Sequence, residues 1–345
     1  MPISRPAMAE LLWTRPLHMR AQAMTAAPGS LLVTERWTRL ARLDPATGKQ
    51  LWSSRVEDCW GTTVTTADRC LYLSQAGVLH CFDLRTGQPL WSRPDLQFGH
   101  HVTVSNTDVF IGGWRGYRPM TRLSLTDGTA LPFTCTPLTD GGTLVTDLGP
   151  IATPLPIRLG PEGAAAVLVA GRNRPVLLAL APTGAVLAEW PLPEPMYFPD
   201  SGSPYSAGTF LSGRRTVMAF HPDQGVQLLW THERDLAARA PMRDGRTLWL
   251  ADETGIAVVD LVRGVIAEIE HRDHGGICAS SVVAGRALIA FTDGSLMTVD
   301  RTGAMTSVLR VRGHVSYLIP GTGGHLHAIA KGHLLTMRFR VPDPA

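Results

Sequence analysis

Residues 40–52 read LARLDPATGKQLW, and residues 79–91 read LHCFDLRTGQPLW. Each stretch has a strand-forming run, a D-x-x-T-G turn and a second strand that ends in tryptophan. In the first copy, Asp44 can accept a hydrogen bond from a backbone N–H two residues on, and Gly48 can adopt a positive φ without strain. Both stretches therefore predict the same β-hairpin.

The hairpin recurs in weaker copies along the chain. Seven glycines close the turns: Gly48, Gly87, Gly128, Gly184, Gly225, Gly264 and Gly303. They are separated by 39, 41, 56, 41, 39 and 39 residues, and about 40 residues is the length of one four-stranded propeller blade. A second glycine turn precedes several of these, as at residues 75–77 and 292–294. We predict that it joins the second and third strands of a blade.

The longest interval holds an insertion at about residues 134–161. Its proline and glycine residues, among them Pro137, Gly142 and Pro154, disfavour a helix. We expect a loop that lies over one face of the fold.

The two ends of the chain complete each other. Residues 333–339 (HLLTMRF) resemble the third strand of the preceding unit (SLMTVD), and no fourth strand follows them. Residues 10–16 (ELLWTRP) resemble the fourth strand of the first unit (QLWSSR), and no strands precede them. We therefore predict that residues 9–16 complete the blade formed by residues 314–340, which removes an unpaired sheet edge.

These patterns predict an all-β fold, a single eight-bladed β-propeller of four-stranded antiparallel blades that occupies residues 1–345 as one domain. The low charged fraction (18%) and the many glycines (34) and prolines (26) agree with short strands and tight turns. Five tryptophans recur at one place on the fourth strand: Trp13, Trp52, Trp91, Trp190 and Trp230. Each ring is expected to pack against a neighbouring blade.

The pattern A-x-x-D-x-x-T-G-x-x-x-W resembles the repeats of PQQ-like β-propellers, a group that includes quinoprotein dehydrogenases and BamB-type outer-membrane assembly lipoproteins. The dehydrogenases have adjacent cysteines that form a disulfide over the cofactor, an export signal and a longer chain, and this sequence shows none of these. The resemblance therefore implies a scaffold fold without PQQ or another cofactor, and without PQQ-dependent dehydrogenase activity. The sequence also lacks the lipoprotein signal of BamB-like proteins, so a role in envelope assembly is not expected.

Charge and hydropathy exclude several classes of partner. The formal charge is +3, and no run of lysine and arginine exceeds a pair, so we expect no nucleic-acid partner. No apolar segment approaches ~18 residues, which predicts a cytoplasmic protein without membrane insertion. The five cysteines form no CxxC pair and are expected to be reduced core residues: Cys59, Cys70, Cys81, Cys135 and Cys278.

The loops that lead from one blade into the next carry the candidate site residues. Histidine suits ligation or proton transfer near neutral pH, so these side chains are candidates for ligand binding if they face one funnel. The candidates are Arg20, Trp60, His100, His101, Asp200, Tyr205, His274 and His314. If the protein is an enzyme, the acid-base residues are expected among His100, His101, His274 and Asp273. No metal site is predicted, because ligands from separate blades have no diagnostic spacing, and solvated loop histidines remain the alternative.

Two functions remain open at this stage. The first is a non-catalytic scaffold whose loops bind another protein, because rigid rings with variable loops commonly do so. Its candidate anchors are Trp37, Trp60, Trp114, Tyr117 and Tyr205. The second is an enzyme of lyase or isomerase type, or a small-molecule binder, with a histidine-rich site in the central funnel.

Overall fold

The computed structural model describes residues 9–18, 21–27, 29–35, 39–56, 62–105, 107–113, 120–133, 151–155, 165–170, 175–196, 209–221, 224–233, 235, 241–251 and 255–339. Within these ranges it contains thirty strands and two short 3-10 turns, Arg272–His274 and Thr322–Gly324. The prediction of an all-β fold is therefore confirmed. None of the described residues form a helix long and apolar enough to cross a membrane.

The strands form eight antiparallel sheets, numbered 1 to 8 along the chain, after a first strand β1 (Ala9–Pro16). Sheet 1 contains β2 (Ala21–Ala27), β3 (Ser30–Glu35), β4 (Arg39–Leu43) and β5 (Gln50–Arg55). Sheet 2 contains β6 (Thr62–Thr65), β7 (Arg69–Leu73), β8 (Leu79–Asp83) and β9 (Pro89–Arg93). Sheet 3 contains β10 (Gly99–Ser105), β11 (Asp108–Gly113) and β12 (Thr121–Ser124). Sheet 4 contains β13 (Ile151–Leu155), β14 (Ala165–Ala170), β15 (Val176–Leu180) and β16 (Val186–Pro191). Sheet 5 contains β17 (Thr209–Ser212), β18 (Thr216–His221) and β19 (Gly225–Thr231). Sheet 6 contains β20 (Met242–Asp244), β21 (Thr247–Ala251), β22 (Gly255–Asp260) and β23 (Gly264–Glu270). Sheet 7 contains β24 (Ile277–Val283), β25 (Arg286–Phe291), β26 (Ser295–Val299) and β27 (Met305–Arg310). Sheet 8 contains β28 (Val315–Pro320), β29 (His325–Ala330) and β30 (His333–Phe339), together with β1.

Sheet 8 differs from the others in drawing on both ends of the described chain. Its strand order is β1-β30-β29-β28, whereas sheets 1 to 7 follow chain order. Strand β1 runs antiparallel to β30, from Ala9 opposite Phe339 to Pro16 opposite His333. The amino-terminal strand is thus the outer strand of sheet 8.

Sheets 3 and 5 depart from four strands, since each has three strands within the described residues. In sheet 3, the place of the fourth strand is taken by a single bridge between Leu123 and Ala130. Residues 134–150 and 197–208, which adjoin these two sheets, lie outside the described part of the chain.

The expectation of a loop throughout the insertion is wrong for Ile151–Leu155. These residues form β13, which pairs with β14 from Ile151 opposite Ala170 to Leu155 opposite Ala166. Proline 154 is tolerated there because β13 is an edge strand, where a missing N–H need not interrupt a ladder on both sides. The rest of the insertion, at 134–150 and 156–161, lies outside the described residues.

The core consists of apolar clusters between consecutive sheets. Eight clusters are found among the described residues, one for each pair of neighbours, and the one between sheets 8 and 1 joins Ile329 and Leu334 to Leu31 and Val33. The second and third strands are buried on both faces and read as continuous apolar runs, as in β15 (VLLAL). The fourth strands are more exposed, as in β5, where Trp52 is buried among half-buried and exposed side chains.

The chemistry predicted for the repeated turn is confirmed. Ala46 N–H and Thr47 N–H both donate to Asp44 Oδ1, at 2.8 and 3.0 Å. In the second copy, Asp83 Oδ1 accepts from the Thr86 N–H and hydroxyl, both at 2.7 Å. All seven turn glycines have positive φ, between 69° and 93°.

Four of the seven turn glycines have a second role, which is to make room for a tryptophan of the preceding sheet. A Cβ on Gly87 would lie 2.5 Å from Trp52 Cδ2, and Trp52 Nε1 donates to Leu84 O at 2.8 Å. Trp13, Trp91 and Trp190 lie in the same way over the turn glycines of the next sheets. The predicted packing of these rings on neighbouring sheets is confirmed for these four.

The described cysteines agree with reduced core residues in part. Cys70 and Cys81 are free and buried, and burial raises the pKa of Cys81 to about 11. Cys278 is half-buried and forms no disulfide with a described residue. Cys59 and Cys135 lie outside the described residues.

A buried histidine makes the stability of sheet 8 depend on pH. His327 in β29 is 1% exposed, its Nδ1 is 2.7 Å from Thr336 Oγ1, and its Nε2 has no hydrogen-bond partner among the described residues. Burial, with a smaller effect of the nearby His325, lowers the pKa of His327 to about 4. The folded state therefore keeps this ring neutral at pH values where the unfolded chain protonates it.

We expect acid to remove this contribution to stability. It is complete above the ordinary pKa of 6.5 and is lost as the pH falls from 6.5 towards 4, in all about 3 kcal/mol. Urea unfolding at pH 7.5 and pH 5 should show that His327→Gln loses about 2 kcal/mol less than the wild type over this interval. The exposed His333 supplies the control, because His333→Gln should keep the wild-type dependence. Equal pH dependence of His327→Gln and wild type would contradict the assignment.

Candidate functional site on the loop face

The chain connections define two faces. The loop face is made by the segments that lead from the fourth strand of one sheet into the first strand of the next, together with the turns between second and third strands. The turn face carries the other hairpin turns, including the D-x-x-T-G turns. This assignment follows from the antiparallel order of strands within each sheet.

The connecting segments on the loop face are held by backbone hydrogen bonds. The first residue after a fourth strand donates its N–H to the turn between strands two and three, as in Leu17 to Gly332 O and Val311 to Gly294 O, at 2.8 and 2.9 Å. A Cβ on Gly294 would lie 2.3 Å from Val311 O, so this turn must approach the segment closely. Within the described residues, these connecting segments are therefore held in place by hydrogen bonds of their backbone.

A polar cluster lies where the segment entering sheet 7 meets the turn of residues 292–294. His274 Nδ1 is 3.2 Å from Ser295 Oγ and 3.5 Å from Asp293 Oδ2, and Ser295 Oγ donates to Asp293 Oδ1 at 2.5 Å. Arg310 Nη2 lies 3.6 Å from the same carboxylate. The His274 ring also lies 5.2 Å from the ring of buried Phe291.

The electrostatics of this cluster keep Asp293 ionised. Burial raises the pKa of the Asp293 carboxyl, but hydrogen bonds from Ser295 and His274, and the charge of Arg310, together lower it below its ordinary value. An anionic Asp293 favours the tautomer of His274 that carries its proton on Nδ1. Nε2 then remains as a lone-pair acceptor on a ring that is 28% exposed.

This arrangement is not a nucleophilic triad. A triad needs the serine on one ring nitrogen and the aspartate on the other, whereas Ser295 and Asp293 both face Nδ1 of His274. The cluster can orient His274 and present Nε2 to a ligand proton. No group of three or more histidine, cysteine, aspartate or glutamate side chains in the described ranges is arranged to hold a metal ion.

The described members of the predicted site lie on different sheets along the chain. His101 lies half-buried on β10 of sheet 3, four sheets along the chain from the His274 cluster of sheet 7. His100 lies at the register shift between Gly99 and His101 in β10. Asp273 and His314 are exposed on the loop face, and His314 follows the segment that contacts Gly294.

The other predicted residues lie outside the described part of the chain. They are Arg20, Trp60, Asp200 and Tyr205 among the ligand-binding candidates, and Trp37, Trp114 and Tyr117 among the candidate anchors.

Sequence reasoning missed three members of the His274 cluster and one exposed aromatic. Asp293 and Ser295 were missed because a T-D-G triplet is also an ordinary hairpin turn, and Arg310 was missed because it lies on a different strand of the sheet. Phe98 is 56% exposed and has φ +63°, an uncommon conformation for a non-glycine residue. In that loop the sequence pointed to the adjacent histidines at 100 and 101 as candidates, and Phe98 was not among the predicted anchors.

Comparison with known families agrees with this geometry. The family model PQQ_2, described as outer membrane protein assembly factor BamB, matches residues 36–302. The chain belongs to the PQQ_2 family. The resemblance to PQQ-like propellers inferred from the repeats is thereby confirmed. No curated protein matches the chain.

Solved structures of similar fold support a propeller for this PQQ_2 member. BamB from Moraxella catarrhalis has 13% identity and a TM-score of 0.67, over 98% of this chain and 99% of that chain. Sqt1 from Saccharomyces cerevisiae has 11% identity and a TM-score of 0.68, over 96% and 99%. The computationally designed Ika8 protein has 13% identity and a TM-score of 0.65, over 94% and 98%. At these identities the likeness shows the fold alone.

Proposed function

We propose that this protein is a non-catalytic scaffold, a closed eight-bladed propeller that binds a partner protein through its loop face. The apolar clusters between all consecutive pairs of sheets, and the pairing of β1 with β30, support the closed ring. The family description names an assembly factor, and assembly requires contacts with other polypeptides, which supports a protein partner. The observation that carries the proposal is the conformation and exposure of Phe98.

Phe98 lies in the segment that leads from sheet 2 into sheet 3. Its backbone is fixed by two hydrogen bonds, Leu96 N–H to Gly77 O at 2.8 Å and Gly99 N–H to Leu96 O at 2.9 Å. These bonds hold a large apolar ring at positive φ on the surface, at a cost of about 1–2 kcal/mol. An exposed aromatic on rigid backbone loses little conformational entropy on binding, which is the property of an interface anchor.

The test compares two substitutions at this position with a control elsewhere. After the partner is isolated from the protein's own host, Phe98→Ala and Phe98→Gly should weaken its affinity about tenfold or more. Phe98→Gly also relieves the left-handed strain, so it should melt no lower than Phe98→Ala. Leu228→Ala is the matched control, because Leu228 is 54% exposed but lies on the outer strand β19. Unchanged affinity of both Phe98 variants would refute the proposal.

A second candidate function, binding or turnover of a small polar ligand, is favoured by the His274 cluster alone. His274→Ala should abolish ligand binding or turnover, whereas Asp293→Asn should weaken it by disturbing the tautomer. Neither change should alter partner affinity if the scaffold proposal holds. Native mass spectrometry of gently purified protein separates the two functions, because a partner chain and a small adduct differ in mass.

A further inference from the structure

The D-x-x-T-G turn of sheet 6 departs from the chain's own repeat. Where the first two copies read DPATG and DLRTG, this one reads DLVRG, so Val262 and Arg263 replace a small or polar residue and a threonine. In the second copy the threonine hydroxyl donates to the turn aspartate, from Thr86 Oγ1 to Asp83 Oδ1 at 2.7 Å. Arg263 offers only its backbone N–H to Asp260, at 3.1 Å. The turn has lost a local side-chain bond and gained a cation and an exposed aliphatic group.

Exposed aliphatic side chains are concentrated at this hairpin. Val262 is 76% exposed, Val265 49% and Ile266 42%, all within five residues. Other exposed leucines, such as Leu51 and Leu187, are single residues on outer strands. Single exposed apolar residues are ordinary, whereas a contiguous group marks an interaction surface.

A pocket of about 460 Å³ adjoins this hairpin on the turn face, between sheets 6 and 7. Its charged and apolar lining includes Asp244, Arg246, Asp260, Arg263, Ile266 and Arg301.

The charges of the pocket are unbalanced. Arg246 is paired with Asp260 at 3.0 Å, and Arg301 with Asp244 at 2.5 Å. No carboxylate of the described residues lies within ion-pair distance of Arg263. Both aspartates are already engaged, so the guanidinium of Arg263 remains to receive an anion beside an apolar surface.

We propose that this pocket and hairpin bind an extended peptide segment of a partner protein, in which an acidic side chain lies close to an aliphatic one. The carboxylate pairs with Arg263, and the aliphatic side chain covers Val262 and Ile266. A carboxylate and a guanidinium form a charge-assisted pair, and the apolar contact excludes water from it. The surface is on the turn face, so it is a second docking site besides the loop face, and the scaffold can hold two partners at once.

The test uses fluorescein-labelled synthetic peptides against the full-length protein. Each peptide carries one aspartate or glutamate at a short spacing from one leucine, isoleucine or valine, in a serine–glycine background. Matched peptides replace the acid by its amide, or the aliphatic residue by serine. Fluorescence polarisation in about 50 mM salt should give saturable binding for the acidic-aliphatic peptides, weakened by higher salt. Arg263→Gln and Val262→Ser should each lower the affinity about tenfold.

Two controls connect any loss to this surface. Arg272→Gln removes an arginine that is 71% exposed on the loop face and should leave peptide binding unchanged. Phe98→Ala should also leave it unchanged, which separates this site from the proposed partner site on the loop face. Equal binding by the amide peptides, by the serine peptides or by both pocket variants would overturn the proposal, and so would complete competition by inorganic phosphate, which would indicate a simple anion site. Absence of saturable binding by all peptides would overturn it as well.

Discussion

Removal of residues 1–16 is expected to lower the melting temperature by at least about 15 °C, or to prevent folding altogether. The deletion strips β1 from β30 and leaves a long unpaired edge on sheet 8. It also removes Trp13, whose indole N–H donates to Pro45 O at 3.1 Å, and Arg15, which donates to Gly48 O at 2.9 Å. Strand β1 thus forms the outer edge of sheet 8 and also holds sheet 8 against sheet 1.

A shorter deletion provides the control for this experiment. Removing residues 1–8 leaves β1 intact and should change the melting temperature by no more than a few degrees, about 2–3 °C. Thermal melts followed by far-UV circular dichroism, together with the soluble yield, measure both variants. If the two deletions melt alike, β1 does not join sheets 8 and 1 in the way proposed.

Gly87→Ala is expected to lower the stability of the fold by several kcal/mol, about 4 kcal/mol in all. Gly87 has φ +72°, which costs an alanine about 1 kcal/mol, and the new Cβ would meet the Trp52 ring at 2.5 Å. Displacing that ring disturbs the cluster between sheets 1 and 2 and the bond to Leu84 O. The two effects sum to about 4 kcal/mol, or about 8 °C in melting temperature.

Gly332→Ala isolates the backbone part of this effect. Gly332 has nearly the same φ, +73°, but a Cβ there would meet no atom of the described residues within 4 Å. The control should therefore lose only about 1 kcal/mol, or about 2 °C. Equal losses for the two substitutions would mean that the Trp52 contact adds nothing to stability.

The repeat itself was predictable because its determinants are local. The turn is held by hydrogen bonds that span two or three residues, such as Ala46 and Thr47 to Asp44. Positive φ at the glycine follows from the same few residues. The all-β class and the family membership follow from this repeated unit. The candidate site was predicted in part, since His274 and its loop were identified while its partners were not.

Contacts between sheets were less predictable because they depend on the packing of remote segments. In sheet 6, Ala267 stands where other sheets have the tryptophan, and it lies close enough that a Cβ on Gly303 would be 2.4 Å away. The indole of buried Trp249, from the second strand, instead donates to Asp300 O at 3.2 Å. The residue pattern of the fourth strand alone does not show that a tryptophan of the second strand makes this contact instead.

The sequence by itself determined the turns, the spacing of the sheets and the identity of the buried strands, because each rests on conformational preferences and hydrophobic patterns within about forty residues. Only the tertiary structure decided which side chains meet on the two faces. It joined His274 to Asp293, held Phe98 at positive φ, and placed Arg263 beside a pocket with no ion-pair partner among the described carboxylates. These outcomes depend on how turns of neighbouring strands and sheets approach one another, and that approach is set by packing over the whole core.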